Sequence, residues 1–326
     1  MKIVFCSCNH PKVHPSQPGW FAVANEAPDA LLLLGDNVYL EDNIREVLIK
    51  SLRPSYKLDA SAFAQRLHAR YQAQAQVPEF RTALHASGRV LGTLDDHDFL
   101  GNDQYAQPQT QIKAQIARQL HRQFIAHCNR KPLPTIYPDL QTALAVPDEG
   151  FSQGLGVASS LEQQQVKLML LDNRSYRTSP HSENAVALGA RQISWLEQGL
   201  TGSQRVSIVA SGSTLSPGNK YLIRGNPLSR YVQEARILRA LYQNQPHQVV
   251  LHLGGDVHYN THWPTQAEQY GFTELASSAM GTGWLPFSSH TQNNFGLITV
   301  TEDAVSVQLN GKHAVNQISL RLSFPA

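Results

Sequence analysis

Cysteine is scarce in this chain. Three are present in 326 residues, Cys6, Cys8 and Cys128, and an odd count with one Cys-x-Cys pair excludes a disulfide framework. Cys6 and Cys8 fall on one face of an extended strand and are poorly placed to bridge each other, so a reducing compartment is expected. Long apolar runs are lacking too. The longest, ALLLLG at 30–35, is far short of the roughly 20 residues that span a bilayer. Charge is sparse: 16% of residues are charged, the formal net charge is +2, and no basic run tracks a nucleic-acid backbone. That argues against a long duplex partner. The opening MKIVFCSCNH turns polar too quickly for a secretory signal, and no twin-Arg segment occurs. The expectation is a cytoplasmic protein without a membrane span. Nothing in the sequence bears on oligomeric state.

What the chain does have is a set of short apolar runs, each ending in polar residues. KIVFCSC leads to Asn9 and His10, DALLLLGD to Asn37 and Tyr39, and RVLGTLDD to His97. VKLMLLDNRSYR ends at Arg177, RVSIVASGS precedes Thr214, and QVVLHLGGDVH closes on His258. Continuous apolar runs of this length suit strands covered on both faces. Between them, residues 59–76, 110–127, 189–200 and 227–243 are rich in helix formers. In the second of these, Ile112, Ile116, Leu120 and Phe124 recur at a helical spacing and predict a core-facing stripe. Strand alternating with helix predicts an α/β fold. Segment 129–156, rich in Pro and Gly, reads as a long loop with a hairpin. The tail, 271–324, reads as strands joined by turns, with Asn310-Gly311 a hairpin cue. No linker is evident, so residues 1–326 are expected to form one domain.

Open α/β sheets bind ligands beyond the carboxyl ends of their strands. Four strand ends carry ligand-type residues: Cys8, Asp36 with Tyr39, the stretch LDDHDFLGND with Asp96, His97 and Asn102, and Asp256 with His258. Residues two apart on an extended strand share a face, which would aim Asp256 and His258 at one spot with His252 on the same side. Adjacent acids after an apolar run imply a buried strand end, where unpaired charge is costly. Carboxylates, an imidazole, a thiolate, a phenolate and an amide together suit metal ions. The thiolate and phenolate favour ferric iron, and the carboxylate and amide oxygens favour calcium, manganese or magnesium. His10, His14 and His262 receive no role. The hydroxyl-rich SGSTLS lacks a Gly-x-Ser-x-Gly elbow, so no serine nucleophile is expected.

The series FCSC, LLLLGDNVY, LGTLDDHDFLGND, LLDNRSYR and LGGDVHY resembles the ordered motifs of the PhoD-like phosphatases, a branch of the calcineurin-like metallophosphoesterases, and runs from residue 6 to 259. The resemblance implies a four-layer α/β/β/α sandwich with mixed sheets, antiparallel C-terminal strands and a dinuclear metal centre. It implies ligands at Cys8, Asp36, Tyr39, Asp96, Asn102, Asp256 and His258, with Asp36 bridging. It places His97 at the catalytic histidine position and Arg174 and Arg177 at a phosphate-binding element. The implied activity is hydrolysis of small phosphate mono- or diesters by a metal-activated hydroxide. Leu94 replaces a frequent Trp, which bears on packing. The alternatives are a metal-dependent hydrolase of another ester or amide bond, or a non-catalytic metal- or phosphate-binding module.

Overall fold

The apolar runs become strands because each is buried on both sides. The computed structural model of the chain describes residues 1–219, 225–282, 293–311 and 318–324. The strands are β1 (Lys2–Cys6), β2 (Ala30–Leu34), β3 (Arg89–Thr93), β4 (Ser159–Gln163), β5 (Val166–Leu171), β6 (Val206–Ser211), β7 (Val249–Gly254), β8 (Thr261–Trp263), β9 (Thr273–Ala276), β10 (Phe295–Val300), β11 (Ala304–Asn310) and β12 (Ile318–Ser323). They form two six-stranded sheets, in the orders β12-β11-β10-β1-β2-β3 and β4-β5-β6-β7-β9-β8. Strands β1, β2 and β3 are mutually parallel, and β10, β11 and β12 extend the sheet from β1, each antiparallel to the strand before it. In the other sheet β5, β6, β7 and β9 are parallel, with β4 and β8 antiparallel at its edges.

Three cores separate the layers. Along β2, Leu32 and Leu34 join Leu168, Ile208 and Leu251 of the facing sheet. The alternate residues Leu31 and Leu33 pack instead with Phe63, Leu67, Leu120 and Phe124 of the helices Ala60–Gln76 and Gln111–Cys128. On the other outer face, Met169 and Val209 meet Leu196 and Leu238 of the helices Ala190–Leu200 and Val232–Gln243. The result is the α/β/β/α layering. Period-two alternation inside an all-apolar run reflects two different apolar neighbours, which is why the sequence shows no polar face.

Helix starts follow their caps. Asp59 Oδ1 accepts from the Ala62 N–H at 2.7 Å, opening Ala60–Gln76. In Gln111–Cys128 the expected stripe holds at Leu120 and Phe124 but fails at Ile112, which is 66% exposed. A strict four-residue spacing drifts by about 40° per step on a helix of 3.6 residues per turn, so three steps carry Ile112 off the buried face. Segment 129–156 contains the short helices Leu140–Leu144 and Glu149–Ser152 rather than a hairpin, and the hairpin lies just beyond it, in β4–β5. Nor does Asn310-Gly311 form a two-residue turn. The register pairs Leu309 with Ile318, whereas such a turn would pair it three residues on. Residues 312–317 of that connection lie outside the described residues.

Candidate metal centre

The carboxyl ends of β1, β2 and β7 meet where the sheets abut. The Gly-Gly after β7 is explained by this crowding: a methyl group on Gly255 would fall 2.5 Å from the Leu34 carbonyl oxygen and 2.6 Å from that of Gly212. The chain then turns sharply past each strand. Cys8, Asp36, Asp256 and His258 have φ of 64°, 48°, 69° and 60°, a left-handed conformation that side chains beyond glycine rarely adopt and that clusters at functional sites. Because β7 stops at Gly254, the two-residue periodicity expected for Asp256 and His258 does not apply. His252 points the other way, and its Nδ1 is 2.9 Å from the Tyr242 hydroxyl on the helix side of the sheet.

These turns bring two groups of ligand-type atoms together, Cys8–Asp36–His258 and Asp36–Asp96–His97, each with its atoms within 4.8 Å of one another. Asp36 belongs to both. The Cys8 thiol donates to Asp36 Oδ2 at 3.4 Å, and the Tyr39 hydroxyl donates to the same oxygen at 3.4 Å and lies 3.0 Å from His258 Nε2. The His97 N–H donates to Asp36 Oδ1 and to Asp96 Oδ1, both at 3.1 Å. Tyr39 is held face to face between His97, at 4.1 Å between ring centroids, and His10, at 4.9 Å.

The electrostatics are those of an acid cluster short of positive charge. Burial raises the Asp36 carboxyl well above its usual range, and Cys8 and Asp96 add to the shift. Burial likewise pushes Asp256 up to about 8, with Asp95 and Asp96 reinforcing it and Arg174 opposing. His258 is pushed down to about 4 by burial, which keeps its imidazole neutral and able to ligate. A sulfur, a phenol, a second carboxylate and a neutral imidazole, packed around the Asp36 carboxylate in strained turns, are a donor set that fits metal ions.

The remaining expected residues flank these groups. Asp256 joins neither, and its Oδ2 accepts from the Asn226 N–H at 2.6 Å. The side-chain amide of Asn102 donates to Asp103, at 3.4 Å. Arg174 is fully buried: its Nε donates to Asp95 Oδ1 at 2.5 Å, and its Nη2 donates to Ser213 Oγ at 3.2 Å and lies 3.7 Å from Asp96 Oδ1. Arg177, also buried, donates to the Asn173 carbonyl oxygen at 2.8 Å and to Ser213 Oγ at 3.3 Å.

The profile of the PhoD-like phosphatases matches residues 3–317. The chain belongs to the PhoD-like phosphatase family. It is thus a phosphoric ester hydrolase of a metal-dependent family, acting on small substrates. The solved structure of PhoD covers 98% of this chain and 71% of its own, with a TM-score of 0.64 and 15% identity. That likeness shows a shared α/β sandwich fold. The crystal structure of a Thermus thermophilus protein covers 91% of this chain and 93% of its own at 9% identity, but its TM-score of 0.39 carries no weight. No curated protein matches the chain. Among the described residues, no helix is long and apolar enough to cross a membrane.

Sequence reasoning missed three partners in this PhoD-like site. Glu41, fully buried, places Oε2 2.9 Å from His97 Nδ1 and accepts the Asn102 N–H on Oε1 at 2.7 Å. Ser278 Oγ lies 3.2 Å from Cys8 Sγ and accepts the His258 N–H at 3.1 Å. Asp98 Oδ2 accepts from the backbone and side chain of Asn37, at 2.9 and 2.7 Å. Burial alone would lower the His97 pKa, but the Glu41 and Asp96 carboxylates overrule it and raise it to about 10.

Proposed function

We propose that this chain hydrolyses phosphate mono- or diesters at a dinuclear metal centre with Asp36 as the shared ligand. One observation carries the reading: two ligand-type groups overlap at a single buried carboxylate. On this reading Cys8, Tyr39 and His258 hold one ion with Asp36. Asp96 holds the other with Asp36, and Asn102 and Asp256 close the set. The thiol and phenol suit ferric iron, and the oxygen-rich side suits calcium, manganese or magnesium. Such ions, when bound, lower the pKa of water and offset phosphoryl charge.

The chain's own residues supply the rest. Glu41 holds His97 Nδ1 and leaves Nε2 for the ester. A protonated His97 gives its proton to the leaving oxygen as the P–O bond breaks. Arg174 is read as a positioning group: it ties Asp95 and Asp96 at the end of β3 to the turn after β5, and the buried Arg177 backs it through Ser213. Residues from both sheets build the centre, so residues 1–326 are read as one domain. Three buried, unpaired cysteines fit a cytoplasmic setting.

The test is turnover of chromogenic phosphate mono- and diesters by protein loaded with iron and with calcium or manganese. Asp36→Asn and Asp256→Asn are each expected to lose at least about a hundredfold in kcat/KM while keeping the far-UV circular dichroism of the parent. Full turnover by either variant overturns the assignment.

A further inference from the structure

Beside the candidate centre lies a second cluster of charge that the mechanism does not use. Asp42 directly follows Glu41 in the chain. Its Oδ1 accepts from both Lys12 and Arg70, and its Oδ2 lies 3.5 Å from Arg66 Nη2. Arg66 also pairs with Glu46 at 3.1 Å, and Glu46 is turned inward, accepting the Asp42 N–H at 2.9 Å. Three cations thus share two carboxylates, a surplus of one positive charge. The side chains of Lys12, Arg66 and Arg70 are 48%, 22% and 15% exposed, so the cluster forms a rim that is partly open, most of all at Lys12. Ammonium and guanidinium groups each carry several donors, so the outward donors of Lys12, Arg66 and Arg70 are suited to an oxyanion.

Position ties the rim to the reaction. Lys12 lies two residues past His10, which stacks on Tyr39 and is within Coulombic range of both Arg70 and His97. Asp42 is covalently next to the carboxylate that orients His97. A leaving group that reaches past His10 would meet Lys12, Arg66 and Arg70. The exposed Arg45 and Lys50, in the helical turns just beyond, add charge of the same sign.

We infer that Lys12, Arg66 and Arg70 form a subsite for a second anionic group carried by the leaving group, so the favoured substrates are phosphate esters with two separated negative centres. The inference rests on the phosphatase reading above. Asp42 preorganises the three cations and occupies only part of their donor capacity. The bland alternative is a closed salt-bridge clamp joining the loop at 10–14, Asp42 and the helix Ile44–Leu48 to the helix Ala60–Gln76. A clamp would affect stability without any preference for charge on the substrate.

Two matched pairs of substrates separate these outcomes: 4-carboxyphenyl phosphate against its neutral 4-carbamoyl analogue, and hexane-1,6-diol bisphosphate against the monophosphate. The anionic member of at least one pair is expected to show about tenfold higher kcat/KM at low salt, the worth of one charge-assisted hydrogen bond. Added salt should shrink that ratio. Lys12→Ala, at the most exposed of the three positions, and Arg70→Ala should each bring the ratio toward one. Equal kcat/KM within both pairs, or a ratio that survives in both variants, overturns the subsite. No hydrolysis of any of the four compounds by metal-loaded protein would remove the phosphatase reading and the subsite with it.

Discussion

Glu41 is the residue on which His97 depends. It is fully buried, and each of its two oxygens has one partner, His97 Nδ1 and the Asn102 N–H. Glu41→Gln keeps the shape and removes the charge. With that charge gone, the His97 pKa drops from its raised position, and the fraction able to donate a proton falls at lower pH than in the parent. The alkaline limb of the pH–kcat profile is expected to move to lower pH, with kcat down by about tenfold or more and KM nearly constant. An unshifted profile would reduce Glu41 to packing. Glu41 was invisible in the sequence because it lies in the loop DNVYLEDN, where neither period nor spacing marks one acid over its neighbours. Cys8, Asp36 and Asp96 were legible for the opposite reason: each follows an apolar run, and a charge there needs a partner. Asp256 and His258 were singled out correctly as strand-end residues, but the geometry given to them was wrong. Left-handed backbone at both positions replaces strand periodicity, and one-dimensional pattern does not reveal it.

At the scale of elements, β9 and the loop after β6 are coupled through one carboxylate. Glu274 on β9 is buried and accepts the Ser216 N–H at 2.7 Å and the Ser216 hydroxyl at 2.6 Å, while Gln266 donates to the same hydroxyl at 2.8 Å. Burial raises its pKa from 4.5 to about 7, against the lowering effect of the Ser216 hydrogen bonds and of Arg239. Between those values the folded protein holds a proton that the unfolded chain has released, so this group's contribution to stability is full below about pH 4.5 and is lost as the pH rises through 7. Denaturant unfolding of Glu274→Gln is therefore expected to show a smaller loss of stability than the parent between pH 5 and 8, the gap approaching about 3 kcal/mol. Parallel pH dependence in the two proteins would contradict this. Elements themselves were largely readable: the strands from their apolar runs, the long helices from their composition. The misreadings came where local cues met tertiary constraint. Asn310-Gly311 rightly marked a hairpin, since β11 and β12 pair antiparallel on either side of it, but their register makes the connection longer than two residues. Leu140–Leu144 starts on the cap of Asp139 inside a segment whose prolines and glycines suggested a loop with a hairpin.

At the scale of the whole molecule, two sheets are pressed together so that the ends of strands far apart in sequence face one another. The ends of β1, β2 and β3 bring Cys8, Asp36 and Asp96 from one sheet, and the turn after β7 brings His258 from the other, with Asp256 beside it in the chain. One group, Asp36–Asp96–His97, comes from a single sheet, and His258 carries the other across to the second. Sequence order could not show that Asp36 lies at the junction of two groups, because that depends on how the sheets abut at Gly255 and Gly212. The measurement that tests this most directly is a metal count per chain by plasma mass spectrometry, made on the parent, Cys8→Ser and Asp36→Asn after identical loading and desalting. A shared Asp36 predicts two ions in the parent, about one in Cys8→Ser and fewer than one in Asp36→Asn. A parent that retains a single ion, or an Asp36→Asn variant that still holds two, would contradict the dinuclear account.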